Sequence, residues 1–190
     1  MLTGLPPLVS SHTRVLILGS FPGVASLASQ QYYGHPQNQF WRLLQAIWPS
    51  CAMPTGAGSY QMRSEWLLDR GLGLWDVYAA CEREGSLDSQ IRTPVLNDFA
   101  EIRRHCPALQ AIAHNGAESF KHARRVSAAL AGAELRQTDS DALEGRALDA
   151  VSSVGVQFYK LPSSSPAHAA WSFERKLAAW REVFEKHRWV

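Results

Sequence analysis

The sequence predicts a three-layer α/β/α sandwich around a central, mainly parallel four-stranded sheet. Four short apolar runs along the chain have the length and composition of buried strands. Between and after them lie stretches whose apolar residues recur at helical spacing. Strands alternating with helices imply a parallel sheet covered on both faces.

The strand runs are Val15 to Leu18, Leu72 to Trp75, Leu109 to Ala113 and Val156 to Tyr159. Phe40, Leu43, Leu44 and Ile47 form one apolar helix face, and Pro49 stops it. Thr93 and Pro94 are followed by an amphipathic stretch through His105, and Ala117 to Leu130 is a second, more basic one. The clearest helix is the last, with Phe173, Leu177, Trp180 and Phe184 spaced 4, 3 and 4 apart. Residues 131–153 are small, polar and mildly acidic, which reads as a surface connection. Neither repeats nor low-complexity tracts occur.

With 190 residues, 46% hydrophobic and 19% charged, the chain suits one globular domain spanning 1–190. A formal charge of +2 neither demands nor excludes nucleic acid, because a local basic face matters more than the sum. Cys51, Cys81 and Cys106 are odd in number and never form CxxC, which argues against a disulfide framework or an iron–sulfur cluster. No metal or other cofactor is expected. Met1 to Ser11 lacks a basic leader, and no apolar run approaches the ~20 residues of a membrane span, so a soluble, cytoplasmic monomer is expected.

In such folds ligands sit at the carboxyl ends of the strands. After the first strand comes Gly19-Ser20-Phe21-Pro22-Gly23, a tight turn that lets backbone amides approach a ligand. The loop before the first helix reads Gln31-Tyr32-Tyr33-Gly34-His35-Pro36-Gln37-Asn38-Gln39. Aromatic planes stack on bases, and amides read base edges or position water. Phe40 and Trp41 belong to the core, whereas Tyr33 and Asn38 precede the periodic face; for Asn38 the competing role is a helix cap. After the last strand, Ser163, Ser164 and Ser165 lie between Pro162 and Pro166, ahead of His168. Hydroxyls and amides of this kind suit phosphate contacts, although a Ser165–Pro166 helix start would explain part of the run.

Together these segments resemble the uracil-DNA glycosylase superfamily, from Val15 to about Trp180. The Gly19–Gly23 turn is similar to its first motif, and Leu161 to Pro166 sits where its DNA-facing Pro-Ser loop belongs. Tyr33-Gly34-His35-Pro36-Gln37-Asn38-Gln39-Phe40-Trp41 resembles a stretch of the mismatch-specific uracil/thymine enzymes. In this order, with Leu74 to Val77 and Gly85 to Ser89, the motifs most resemble the hypoxanthine-DNA glycosylase branch.

The resemblance implies hydrolysis of the N-glycosidic bond of a flipped, deaminated base in double-stranded DNA, most of all hypoxanthine. Phe21 stands where better-known relatives carry the Asp or Asn that directs water, and Leu161 replaces a His; both argue against efficient uracil excision. Asn38 becomes the catalytic candidate, orienting water or hydrogen-bonding the departing base. Ser20, Phe21, Gly23 and Tyr33 would line the base pocket, with Asp76 or Asn115 at the base edge. Asp76 has the better positional match, against a supporting or helix-capping role. Ser163, Ser164, Ser165 and His168 would face DNA, with Ala167 or His168 as the wedge and Lys121, Arg124 and Arg125 as a basic flank. The alternatives are a mismatch-specific uracil/thymine glycosylase and a catalytically silent DNA-binding module. A small-molecule α/β hydrolase would need a Gly-x-Ser-x-Gly elbow, which the sequence lacks.

Overall fold

Every residue of strand β2 (Val15–Gly19) is buried, and its successive side chains serve opposite layers. Val15 and Ile17 join one apolar cluster with Phe40, Leu43, Leu44, Trp180 and Phe184. Leu16 and Leu18 join another with Trp75, Phe99, Ile102, Val126 and Leu130. This alternation makes the sheet the middle layer of three. The structure is a computed structural model and describes residues 1–56, 58–132 and 155–189. The surface connection expected at 131–153 lies almost wholly outside the described residues.

The central sheet has the order β3-β2-β6-β7, with β3 Leu72–Asp76, β6 Ala111–Asn115 and β7 Gln157–Leu161. All three pairings are parallel. One face is covered by α2 (Phe40–Ile47), α3 (Tyr60–Leu68) and α7 (Phe173–Lys186). Phe40 and Trp180, both fully buried, meet edge to face at 5.9 Å. Burial of such side chains contributes roughly 1.5–3 kcal/mol each. The other face is covered by α4 (Ala100–His105) and α6 (Ala123–Leu130).

Several boundaries differ from the sequence expectation. The third and fourth strands start later and run two residues further, because pairing begins where Val15 meets Ala111 and Ala111 meets Gln157. The stretch from Thr93 to His105 is not one helix. Its first part is strand β5 (Arg92–Leu96), antiparallel to β4 (Tyr78–Glu82), which also pairs with β1 (Leu2–Thr3). Pro94 lacks a donor and is tolerated because β5 is an edge strand. The segment from Ala117 to Leu130 breaks into α5 (Ala117–Phe120) and α6. Helices α1 (Val24–Ser29) and α3 carry no strong sequence signal; α1 is short, and α3 is only partly apolar. Ser165 and Pro166 do not start the last helix: its cap is Ser172, whose Oγ accepts from Arg175 N at 3.3 Å.

Candidate active site

The carboxyl ends of the central strands lie level. Gly19 is in register with Asp76, and Asn115 with Leu161. A cleft of about 600 Å³ opens above them. It is lined by Ser20, Phe21, Gly23, Tyr33, Asn38, Asp76 and Asn115, and also by Ser163, Ser164, Ser165 and His168. All of these were singled out from the sequence for base or DNA contact, whereas Lys121, Arg124 and Arg125 of the expected basic flank are not among the lining residues.

The turn after β2 is pinned from below. Val77 N donates to Gly19 O at 2.9 Å, and Tyr78 N to Ser20 O at 3.0 Å. Gly19 allows a close approach that no other residue would: a Cβ there would lie 2.2 Å from Oδ1 of Asp76 and 3.5 Å from the Tyr33 hydroxyl oxygen. Phe21 is only 6% exposed and packs in the second apolar cluster, with the Arg83 guanidinium 5.0 Å from its ring centre. Ser20 Oγ donates to Asp88 Oδ1 at 2.6 Å, and Val24 N to Ser86 Oγ at 3.0 Å. These bonds make residues 86–89 a wall of the cleft, to which the sequence assigns no role. Its signal in the sequence is the similarity of Gly85 to Ser89 to the hypoxanthine branch, which carries no contact for any one residue.

Tyr33 has a left-handed backbone, with φ of 55°. Its ring stacks on Phe40 at 3.8 Å and 16°, and its hydroxyl accepts from Asn115 Nδ2 at 3.1 Å. The ring is thus held rigidly beside the cleft. Asn38 Oδ1 accepts from Phe40 N at 3.0 Å, in the first turn of α2. The N-cap of α2 is Gln39, so Asn38 braces the chain one residue ahead of the cap rather than capping the helix itself. The Asn38 amide NH2, by contrast, bonds no other described residue and borders the cleft. The acceptor of this side chain is therefore occupied, and the donor is left over at a residue that lines the cavity.

Two placements depart from the expected contacts. Ser164 is fully buried and cannot reach a phosphate. Its N donates to Asn115 Oδ1 at 2.8 Å, its Oγ accepts from Asn115 Nδ2 at 2.9 Å, and its carbonyl accepts from Gln39 N at 3.0 Å. Asn115 spends both amide hydrogens on Ser164 and Tyr33, leaving none for a base edge. Both residues act as internal clamps. Ser163 and Ser165 remain half-exposed, and Ala167 and His168 lie at the rim. Behind the loop, Trp180 Nε1 donates to Pro162 O at 2.9 Å. The buried Lys176 donates from Nζ to Ser165 O at 3.4 Å, beneath the rim.

Acidic groups gather on the opposite side. Asp76 is 4% exposed, and its Oδ2 is buried without a hydrogen-bond partner. Burial, reinforced by the nearby Asp88, pushes its carboxyl up to about 7, against the pull of Arg83. Burial also raises Asp88, although the Ser20 hydroxyl counteracts this. Glu118, another cleft residue not foreseen from the sequence, accepts from the Tyr78 hydroxyl at 2.9 Å and pairs with Lys121 at 2.6 Å. The expected basic flank is thus partly neutralised at Lys121.

The profile of the uracil DNA glycosylase superfamily matches residues 6–186. A Methanosarcina acetivorans protein named hypoxanthine DNA glycosylase is 32% identical over 181 residues, 95% of this chain and 96% of its own. A Methanosarcina barkeri protein of the same name is 41% identical over 119 residues, 63% of this chain and 73% of its own. A solution NMR structure of a candidate uracil DNA glycosylase from M. acetivorans superposes with a TM-score of 0.70 at 32% identity, covering 96% of this chain and 95% of the other. Among the described residues, no helix is long and apolar enough to cross a membrane.

Proposed function

The chain belongs to the uracil DNA glycosylase superfamily, and from that premise we propose that its cleft holds a flipped, deaminated base and that the enzyme hydrolyses the N-glycosidic bond of hypoxanthine in duplex DNA. The relatives' names support this choice of base. So does the packing of Phe21 in the core, which removes the polar group that would direct water in a uracil-specific pocket.

The observation that carries the chemistry is the engaged acceptor of Asn38 at the cleft. Its Oδ1 is held by Phe40 N, which leaves its NH2 as the group available to a bound base. Charge accumulates on the departing base as the bond to the sugar breaks. A fixed amide donor stabilises that charge without reorganising in the transition state. Of the two roles read from the sequence, the geometry favours contact with the leaving base over orientation of water. Tyr33, stacked on Phe40, supplies a rigid face for the extruded base, whose extrusion costs a few kcal/mol. Ser163, Ser165 and the backbone above Lys176 contact the phosphates that fix the duplex in place.

The test is base release from duplexes carrying one hypoxanthine, uracil, xanthine or mismatched thymine. The expected result is release of hypoxanthine by a monomeric enzyme well ahead of uracil. Efficient uracil release with hypoxanthine untouched would overturn the base assignment, and no release from any duplex would overturn the enzymatic reading.

A further inference from the structure

We propose that Asp76 is the acid of this site, donating its carboxyl proton to the N7 nitrogen of a flipped purine as the bond between C1′ and N9 breaks. The proposal rests on the glycosylase reading above and adds a reason for preferring a purine.

Asp76 ends β3 at the floor of the cleft, directly across the register from Gly19. The missing Cβ of Gly19 opens the space that Oδ1 occupies, and the Tyr33 hydroxyl borders the same point. Oδ2 is sealed from water and has no donor. A carboxylate in that setting would lack both hydration and partners, a far larger cost than burying the neutral carboxylic acid. The groups facing it keep it so. Asp88 approaches from the turn at Asp88–Gln90 and disfavours a second negative charge, while Arg83, after β4, pulls the other way. Tyr32 and Tyr33, from the loop before α2, are neutral phenols whose own ionisation is suppressed by burial and by Asp76. Burial and Asp88 outweigh Arg83, so the carboxyl titrates near 7.

A purine carries a second imidazole nitrogen conjugated with N9; a pyrimidine has none. In the step, the C1′–N9 electron pair moves onto the base while the Asp76 proton arrives at N7. The base departs as a neutral N7–H tautomer, leaving a carboxylate and an oxocarbenium sugar. Water adds to C1′, and the proton it loses returns to Asp76, so the net reaction is hydrolysis with the acid restored. Asn38 donates to the same base, and the two groups share the burden of its charge. The carboxylate formed in the step also faces the sugar cation while water arrives.

Single-turnover release from a deoxyinosine duplex, measured across pH 5–9, tests the assignment with the full chain. The wild-type rate should fall about tenfold per pH unit above the Asp76 titration. Asp76→Asn should lose about 100-fold or more at pH 6 and show a flat profile, the scale of a general acid. The second probe is a duplex carrying 7-deaza-2′-deoxyinosine, whose base offers carbon in place of N7. Wild type should bind it as tightly as the deoxyinosine duplex yet release its base no faster than Asp76→Asn does. Wild-type rates and pH dependence in Asp76→Asn would overturn the proposal. If that variant does not fold, wild-type release of 7-deazahypoxanthine within tenfold of hypoxanthine would overturn it as well. In both cases hypoxanthine is still released and the glycosylase reading stands. Absence of any release by wild type would instead remove that reading, and this proposal with it.

Discussion

Asn115 grips Ser164 through both halves of its side-chain amide, accepting from the Ser164 amide at 2.8 Å and donating to its hydroxyl at 2.9 Å. The same NH2 donates to Tyr33 at 3.1 Å, so one residue at the end of β6 aligns the stacking ring with the loop above it. Asn115→Ala would strand the buried Ser164 amide, at about 1–3 kcal/mol. At about 2–4 °C per kcal/mol for a chain of this size, thermal melting should show a clear fall. Asn115→Asp keeps the acceptor and should fall less. Equal melting temperatures for wild type and Asn115→Ala would mean the clamp carries no stability.

Asn38 has one occupied acceptor and one donor left over at the cleft. Asn38→Ala should slow single-turnover release by about 10²–10³-fold and lose the bond to Phe40 N, worth about 0.5–1.5 kcal/mol. Asn38→Asp separates the two effects, because it keeps the acceptor for Phe40 N and removes the donor. Its melting temperature should match wild type while its rate stays as low as that of Asn38→Ala. A largely active Asn38→Asp would instead point to water positioning.

Tyr33 contributes a ring and a hydroxyl. Tyr33→Ala removes a stacking surface worth about 1–3 kcal/mol per base and should weaken both affinity for damaged duplex and release. Tyr33→Phe keeps the ring against Phe40 and loses one hydrogen bond to Asn115, worth about 0.5–1.5 kcal/mol. It should therefore lie near wild type. If the two variants prove equally impaired, alignment by Asn115 matters more than stacking.

Two buried groups bend stability with pH in opposite senses. Asp76 titrates near 7 in the folded chain, above its ordinary 3.8, so the folded state holds the extra proton between those values. Its contribution is present at low pH and is lost as pH rises through about 7. His114 is fully buried; Ser119 Oγ donates to Leu18 O and so accepts a hydrogen bond from the Nδ1–H of His114. Burial, with help from His122, lowers His114 to about 3 from 6.5, so its contribution is lost as pH falls from 6.5 towards 3. Urea unfolding should show Asp76→Asn gaining on wild type between pH 4 and 8, by up to about 1.4 kcal/mol per unit. His114→Gln should gain on wild type between pH 6.5 and 4. A constant difference across either range would refute the corresponding assignment.

Much of this architecture was legible from local pattern. The four central strands are short apolar runs because both of their faces are covered, and α2 and α7 show their buried sides at helical spacing. The residues of the cleft could be listed for the same reason: in a parallel sheet, whatever follows a strand lies at one edge. Tyr33, Asn38, Asp76 and the serine loop all satisfy that rule.

Where each side chain points within the cleft was beyond local pattern, because it depends on partners far away in the chain. Ser164 looks like its neighbours in a run of three, yet Asn115, 49 residues earlier, turns it inward and leaves Ser163 and Ser165 outside. Pairing with β4 makes Arg92–Leu96 a strand although the following residues continue in a helix. The wall at residues 86–89 exists through hydrogen bonds to Ser20 and Val24, more than 60 positions away. The state of Asp76 follows from burial beneath Gly19 and from Asp88 opposite it, and neither is adjacent in sequence. Composition and periodicity specify which faces must be buried; the placement of polar atoms inside the fold is set by long-range contacts that bring their partners together.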